Sequence, residues 1–378
     1  MFSLGFHALQ RDDAGGAIEL LTAARAAAPA DLMVLLTLAA ACAAGNDAEG
    51  EFEAIQAALA VDAYFLPALL AKANWFERAG DPVTAARTYT NALKIAPAES
   101  RWPADLRKRL EHAQSYTGRY SAGYAAFLHQ RLNELQAELP PPLAQRWREA
   151  VSIMAGRSRP YLVECNQLCV PRLPAIPFYD RDDFPWLDAL EAMTDVIRDE
   201  LFAALETGRD KFNPYIRLKP EEPVNQWQEL NHSIRWSVLP LWHSGKPLKE
   251  NIERCPETAR ALSELPLVEI DGLCPNSMFS ALEPRTRIPP HHGETNARVI
   301  AHLPLVIPDH CVFRVGFEER PWKMGEVLIF DDTIEHEARN DSDELRVVLI
   351  FDLWNPFLSE VEKAVMRTLS VAAREYTP

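Results

Sequence analysis

No apolar run in these 378 residues approaches the ~18 that a membrane-spanning helix requires. The opening MFSLGFHALQRDDAGG lacks a basic start, an apolar core and a small-residue cleavage site, so it does not read as an export signal. Cysteine is sparse. The six are Cys42, Cys165, Cys169, Cys255, Cys274 and Cys311, scattered and with no CxxC, which points to reduced thiols in a cytoplasm. Cys165 and Cys169 are close enough in sequence to share a metal, but their spacing alone is a weak zinc signature. Basic residues are also short: 39 Lys and Arg stand against 54 Asp and Glu, a formal charge of −15. That excludes general affinity for nucleic acid or anionic membranes and leaves room only for a local basic patch.

What is present is the composition of a soluble globular protein, 48% hydrophobic and 25% charged, long enough for two domains with separate cores. The first ~130 residues are alanine-rich, poor in β-branched residues and helical in pattern. A period of 34 runs through them: Pro29, Ala63 and Pro97 are preceded at equal distances by Ala24, Ala58 and Ala92, and by Leu21, Ile55 and Tyr89. The copy carrying Leu69, Ala73, Phe76, Gly80, Ala85, Tyr89, Ala92 and Pro97 resembles the tetratricopeptide helix-turn-helix repeat, with Gly80 and Asp81 at the turn. A generic alanine-rich bundle is the alternative; the shared period favours repeats. The copy cut short at Met1 is expected to cap poorly, and residues 104–137 read as further helix.

The prolines of ELPPPLAQRW, residues 138–147, cannot continue a helix and mark a linker, with a short helix expected from about Leu143 to Met154. Residues 171–186 read as an extended surface segment. Leu187 to Leu205 and Pro247 to Leu265 read as helices. From about Ser277 the texture changes to short β-rich runs: SMFSALEP, ARVIAHLPLVI, CVFRVGF, GEVLIFDD and LRVVLIFDLW. Such runs imply a sandwich or barrel with helices over one face. The expected architecture is α + β and multidomain: helical repeats over 1–137, a connecting segment over 138–160, and a strand-rich domain over 161–378.

Chemistry concentrates in the strands. His291 and His292 stand side by side after two prolines, and Arg298, Ile300 and His302 share one strand face because side chains alternate. Ser280 lies on the preceding strand. His336 stands near a strand end, and Arg346 ten residues on begins the next, across the turn NDSD. A hairpin of that length brings both to one mouth of a barrel. Neutral imidazole binds metals, and a guanidinium holds a carboxylate through two parallel hydrogen bonds.

Together SALEPRTRIPPHHGETN, HLPL, GEVLIFDDTIEHEARNDSDELR and VLIFDLWNP resemble the aspartyl/asparaginyl β-hydroxylase family of Fe(II)- and 2-oxoglutarate-dependent oxygenases. The likeness runs from about Met278 to Phe357, and more faintly back to about Pro171. It implies a double-stranded β-helix of the jelly-roll, cupin-like kind, which in some members follows tetratricopeptide repeats. It implies Fe(II) on His291 and His336, and glycine at Gly293 where most of the wider superfamily has a metal-binding carboxylate. It implies 2-oxoglutarate with its far carboxylate on Arg346 and polar contacts from Ser280 and His302, Asp332 holding a metal-bound water, and O2 as oxidant. One position departs: some members carry arginine where Ile300 stands, leaving Arg298, one pleat repeat away, as a weaker anchor for the keto-acid end.

A rival register is internal to the chain. His292, Glu294 and His336 would make a two-histidine, one-carboxylate set; counting from Ser280 through Pro290 and Asn296 favours His291. Other readings compete too. Arg346 could pair with Asp341 or Asp343, and Asp332 could cap a turn. The Trp-rich segment around His232 and His243 could line a substrate groove or be core. The activity the resemblance implies is hydroxylation of an unactivated C–H bond, foremost the β-carbon of Asp or Asn in a peptide or protein that the repeats could engage. The alternatives are a lipid or small-molecule hydroxylase, a non-catalytic repeat adaptor with a degenerate barrel, and a metal hydrolase on the same barrel.

Overall fold

The computed structural model describes residues 1–376. They form two compact units, divided between Arg159 and Pro160. The first is helical: α1 (Phe2–Gln10), α2 (Ala14–Ala27), α3 (Leu32–Ala44), α4 (Ala48–Val61), α5 (Leu66–Arg78), α6 (Pro82–Ile95), α7 (Arg107–Ala137) and α8 (Pro141–Met154). Asp13, Asp47 and Asp81 recur at the 34-residue period, and each caps the second helix of a hairpin by accepting from a main-chain N–H three residues on. Such a cap satisfies a donor that the helix itself cannot. Ala58 and Ala92 are fully buried and let neighbouring helices close, while Leu21, Ile55 and Tyr89 fill the space between. The prolines after Glu138 do end α7, and they also begin α8, where a proline in the first turn costs nothing. Helix α8 packs on α7 through Val151, Ala155 and Ala125, so the connecting helix belongs to the first unit.

The second unit contains α9 (Leu187–Glu191), α10 (Thr194–Gly208), α11 (Lys249–Arg254), α12 (Pro256–Ser263) and α13 (Glu360–Glu375). Its strands are β1 (Asn213–Pro214), β2 (Trp236–His243), β3 (Lys246–Pro247), β4 (Ser277–Leu282), β5 (Thr286–His291), β6 (Arg298–Val306), β7 (Cys311–Val315), β8 (Glu318–Arg320), β9 (Leu328–Phe330), β10 (His336–Asn340) and β11 (Arg346–Trp354). They form a seven-stranded sheet in the order β1-β2-β4-β11-β6-β9, with β3 on β2, and a four-stranded sheet β5-β10-β7-β8. All named pairings are antiparallel. This is the jelly-roll architecture, with two sheets facing one another.

Alternation sorts the long strands. Val299, Ala301, Leu303, Val347, Leu349 and Phe351 face α9, α10 and α12. Leu282, Ile300 and Val348 face Ile288, Phe313 and Ala338 of the smaller sheet. Three expectations shift. The helix read over Leu187–Leu205 breaks before Thr194, and that over Pro247–Leu265 breaks at Cys255, where Pro256 starts a new helix. The Trp-rich segment holds a full strand, β2, on the large sheet.

Candidate functional site

His291 ends β5 and His336 begins β10, and the two are direct cross-strand partners. Their rings lie 4.0 Å apart, centroid to centroid. The register shifts between His336 and Ala338, with the extra residue on β5 between Ile288 and His291, the kind of bulge that re-aims a side chain. The Nδ1 atom of His291 lies 2.8 Å from the Pro289 carbonyl, and that of His336 lies 3.1 Å from the Ile334 carbonyl. A carbonyl only accepts, so each Nδ1 carries the proton and each Nε2 keeps its lone pair. Burial pushes the His291 imidazolium down to about 4, and burial together with His291 holds His336 well below the usual histidine range. Both rings are therefore neutral near pH 7.

The rival register is not assembled. The Nε2 atom of His292 lies 3.9 Å from a Glu164 carboxylate oxygen, and Glu294 is paired with Arg298 at 2.8 Å. Gly293 explains why no carboxylate follows the first histidine of the pair. A Cβ at that position would lie 2.0 Å from Oδ2 and 2.1 Å from Cγ of Asp332. The Asp332 carboxyl already occupies the space that a side chain at 293 would enter. It is buried, its Oδ1 has no hydrogen-bond partner among the described residues, and burial raises its pKa to about 7 against the pull of Arg298. Among the described residues no three His, Cys, Asp or Glu side chains form a ready-made metal cluster.

Arg346 opens β11 and is 1% exposed. Its Nε has no hydrogen-bond partner, and no ion pair reaches it among the described residues. The suggested partners are taken: Asp343 pairs with Arg285 and Asp341 with Arg339. Burial pulls the guanidinium down to about 10, which still leaves it charged near pH 7. Its carbon rests 4.7 Å from the ring centre of Trp322, a cation–π contact. The Trp322 indole also donates to Nδ1 of His302 at 3.3 Å. His302 therefore accepts at Nδ1, and as a neutral ring it carries its proton on Nε2, ready to donate. Burial and the charge of Arg346 keep it neutral, and His336 in turn feels His302. The rings of Phe313 and Phe330 pack on both His302 and His336, and Trp322 joins His302 to Arg346, so Arg346, His302, His336 and His291 border one interior.

Ser280 is buried on β4 and accepts from the Trp236 indole at 3.1 Å. Ile300 is packed in the interior cluster with Trp236, Phe313 and Phe330 and brings no charge. Arg298 is held elsewhere: besides Glu294, it reaches Asp352 at 3.3 Å. Carboxylates at Asp352, Asp332 and Glu294 outweigh burial and raise its pKa well above the ordinary value. Trp227 lies edge-on to His291 at 5.2 Å, and Trp236 is 5% exposed, so the Trp-rich segment contributes both wall and core. His232 is exposed and bonds the Leu218 carbonyl. Sequence reasoning missed Trp322 and Asp352. Trp322 lies in the loop between β8 and β9 with no motif around it, and Asp352 looks like any acid in VLIFDLW.

Residues 191–356 match the family model for aspartyl/asparaginyl beta-hydroxylase. The chain is 32% identical over 177 residues to human aspartyl/asparaginyl beta-hydroxylase, covering 46% of this chain and 22% of that one. It is 34% identical over 186 residues to the ornithine lipid ester-linked acyl 2-hydroxylase of Rhizobium tropici, covering 48% and 62%. It is 27% identical over 267 residues to human aspartate beta-hydroxylase domain-containing protein 2, covering 69% and 65%. Each alignment spans less than two thirds of the relative's own length. The family resemblance read from the strand motifs therefore holds over the segment that carries the histidine pair and Arg346.

Proposed function

We propose that the jelly-roll unit is a hydroxylase dependent on Fe(II), O2 and 2-oxoglutarate. His291 and His336 are its metal ligands, and Arg346 anchors the far carboxylate of the co-substrate. One observation carries the reading: a fully buried guanidinium, without a carboxylate partner among the described residues, shares an interior with two imidazoles whose Nε2 lone pairs are free. An uncompensated buried charge costs several kcal/mol, on the order of the penalty for desolvating any ion, so a site of this kind is built for an anion. The donor set fits the metal too. Two neutral imidazoles face one another, and the unsatisfied Asp332 oxygen lies where the usual third carboxylate would reach.

Bound there, the iron with O2 and 2-oxoglutarate would supply the oxidation of an unactivated C–H bond. The chain's own residues do the rest. The two Nδ1–H bonds to main-chain carbonyls lock the ring orientations. Asp332, whose carboxyl lies against Gly293 with one oxygen unpartnered, would hold a water by accepting its hydrogen bond. Ser280, whose oxygen already accepts from Trp236, has its hydroxyl proton left to give to a carboxylate. His302 offers Nε2–H, and Phe313, Phe330 and Trp322 exclude water. Ile300 contributes no cation, so the charge-based hold on the dicarboxylate falls to Arg346.

The family match favours the β-carbon of Asp or Asn in a peptide as the point of attack. The Rhizobium relative, named as an acyl 2-hydroxylase, favours a lipid acyl chain as the second reading. The purified full chain with Fe(II) and 2-oxoglutarate is expected to form succinate, and an Asp- or Asn-containing peptide to gain one oxygen by mass spectrometry. Oxygen gained by an acyl lipid instead selects the second reading. Arg346→Met should leave the ligand-free protein at least as heat-stable while abolishing the rise in Tm that 2-oxoglutarate produces. A Tm rise that survives in that variant sinks the anchor assignment; absence of both iron binding and turnover favours the adaptor.

A further inference from the structure

Cys165 and Cys169, with three residues between them, take no part in the site described above. Among the other thiols, Cys42, Cys255 and Cys274 are buried, where a thiol is inert, and Cys311 lies against Asn340. Cys169 is exposed and Cys165 half-buried. The Cys165 thiol meets both the Cys169 thiol and the main-chain N–H of Asn296. A structural zinc takes four ligands, and among the described residues no third His, Cys, Asp or Glu completes a set here. Two thiols that face one another across a short loop can instead bond to each other.

The segment that carries them is a strap. Val163 bridges Ile334, and Leu168 bridges Thr295. The main-chain N–H of Glu164 donates to the Thr333 carbonyl at 2.8 Å, that of Asn166 to Gly293 at 3.1 Å, and that of Gln167 to Glu294 at 2.9 Å. The Asn166 side chain donates to the His292 carbonyl at 2.8 Å. Val170 and the Asn296 side chain exchange two bonds, of 2.8 and 2.9 Å. One short stretch thus joins the loop that follows His291 to the turn that precedes His336. A cross-link within it removes open states of the strap and leaves the closed one available.

We propose that Cys165 and Cys169 are an oxidant-sensing pair whose disulfide locks this strap onto the two histidine loops. That these loops hold a metal rests on the proposed function; the thiol chemistry does not. Hydrogen peroxide gives one oxygen to the exposed Cys169 sulfur, which becomes a sulfenic acid as one water leaves. The Cys165 sulfur then attacks that sulfur. The S–S bond forms, the S–O bond breaks, and the hydroxide leaves with the Cys165 proton as a second water. The two thiols lose two electrons in all, and a dithiol reductant returns them. Burial raises the Cys165 thiol to about 11, so its thiolate is scarce and Cys169 meets the oxidant first.

The test uses the full chain stripped of metal by a chelator, so a failed metal assignment leaves the result untouched. A small excess of hydrogen peroxide, then alkylation and peptide mass spectrometry, should yield a Cys165–Cys169 disulfide that dithiothreitol opens. Cys165→Ser should stop at a sulfenic acid on Cys169, which dimedone traps. Cys169→Ser should keep a free Cys165 that alkylates. In hydrogen exchange, the amides of residues 164–170 should exchange about tenfold more slowly in the oxidised chain than in the reduced one. Cys169 oxidised beyond the sulfenic acid while Cys165 stays a thiol overturns the pairing, as does a disulfide between two chains. A disulfide that leaves exchange in the strap unchanged overturns the lock.

Discussion

Trp322 is the residue on which two predicted ligand contacts lean at once. Its ring face lies against Arg346, and its N–H sets which nitrogen of His302 carries the proton. Trp322→Phe keeps a ring but removes that donor. The KM for 2-oxoglutarate is expected to rise about threefold to tenfold, the worth of roughly one hydrogen bond and part of a cation–π contact, with kcat at saturation little changed. Nitrogen-15 NMR of the ligand-free variant should show His302 shifted toward a mixture of tautomers; an unchanged spectrum and KM would mean the indole is packing only. Gly293 makes the second residue-scale case. Gly293→Ala should destabilise the fold by about 1–3 kcal/mol, because the new methyl meets the Asp332 carboxyl at 2.0 Å. Asp332→Ala in the same chain should recover much of that loss in urea unfolding. Simple additivity of the two changes would show that the carboxyl is not what keeps position 293 bare.

At the scale of elements, the second hairpin of the repeat unit carries a deviation with a cost. Positions 17, 51 and 85 are equivalent under the 34-residue period, and Ala17 and Ala85 are fully buried. The middle copy has Glu51 instead, 5% exposed and tied to Arg78 of α5. Arg78→Ala strands that carboxylate and should cost about 1–2 kcal/mol, below the figure for a wholly buried pair because Arg78 itself is half exposed. Glu51→Ala, which restores the alanine of the other copies, should be neutral or stabilising. Thermal unfolding of both variants checks the pair; a large loss in Glu51→Ala would contradict it. In the jelly roll, the elements that matter are bent ones. Register shifts lie on β5, between Ile288 and His291 opposite His336, and on β6, at Leu305 opposite Val347–Val348 next to Arg346. The apolar runs RIPPH and HLPLV do not reveal such bulges, since one extra residue leaves a run that is apolar almost throughout unchanged.

For the molecule as a whole, two units have separate cores, and a ligand of one should leave the other unchanged. In hydrogen exchange of the full chain, Fe(II) with 2-oxoglutarate should protect amides of β6, β10 and β11 and leave the helices of the first unit as they were. Protection appearing in the helical unit instead would undo the site assignment. Much of this organisation can be read without coordinates. The 34-residue period, the proline break after Glu138 and the strand alternation after Ser277 depend on near neighbours in the chain, and so do the spacings that tie His291, His336 and Arg346 to a family. Tertiary structure alone decided the rest: that His291 rather than His292 faces His336, that Asp332 fills the room left by Gly293, that Glu294 and Asp352 claim Arg298, and that Trp322 reaches under Arg346. Apart from the Glu294–Arg298 pair, four residues apart, each of these is a contact between strands or loops distant in sequence. Local chemistry names the residues able to bind a metal or an acid, but only sheet register and packing choose which of them meet.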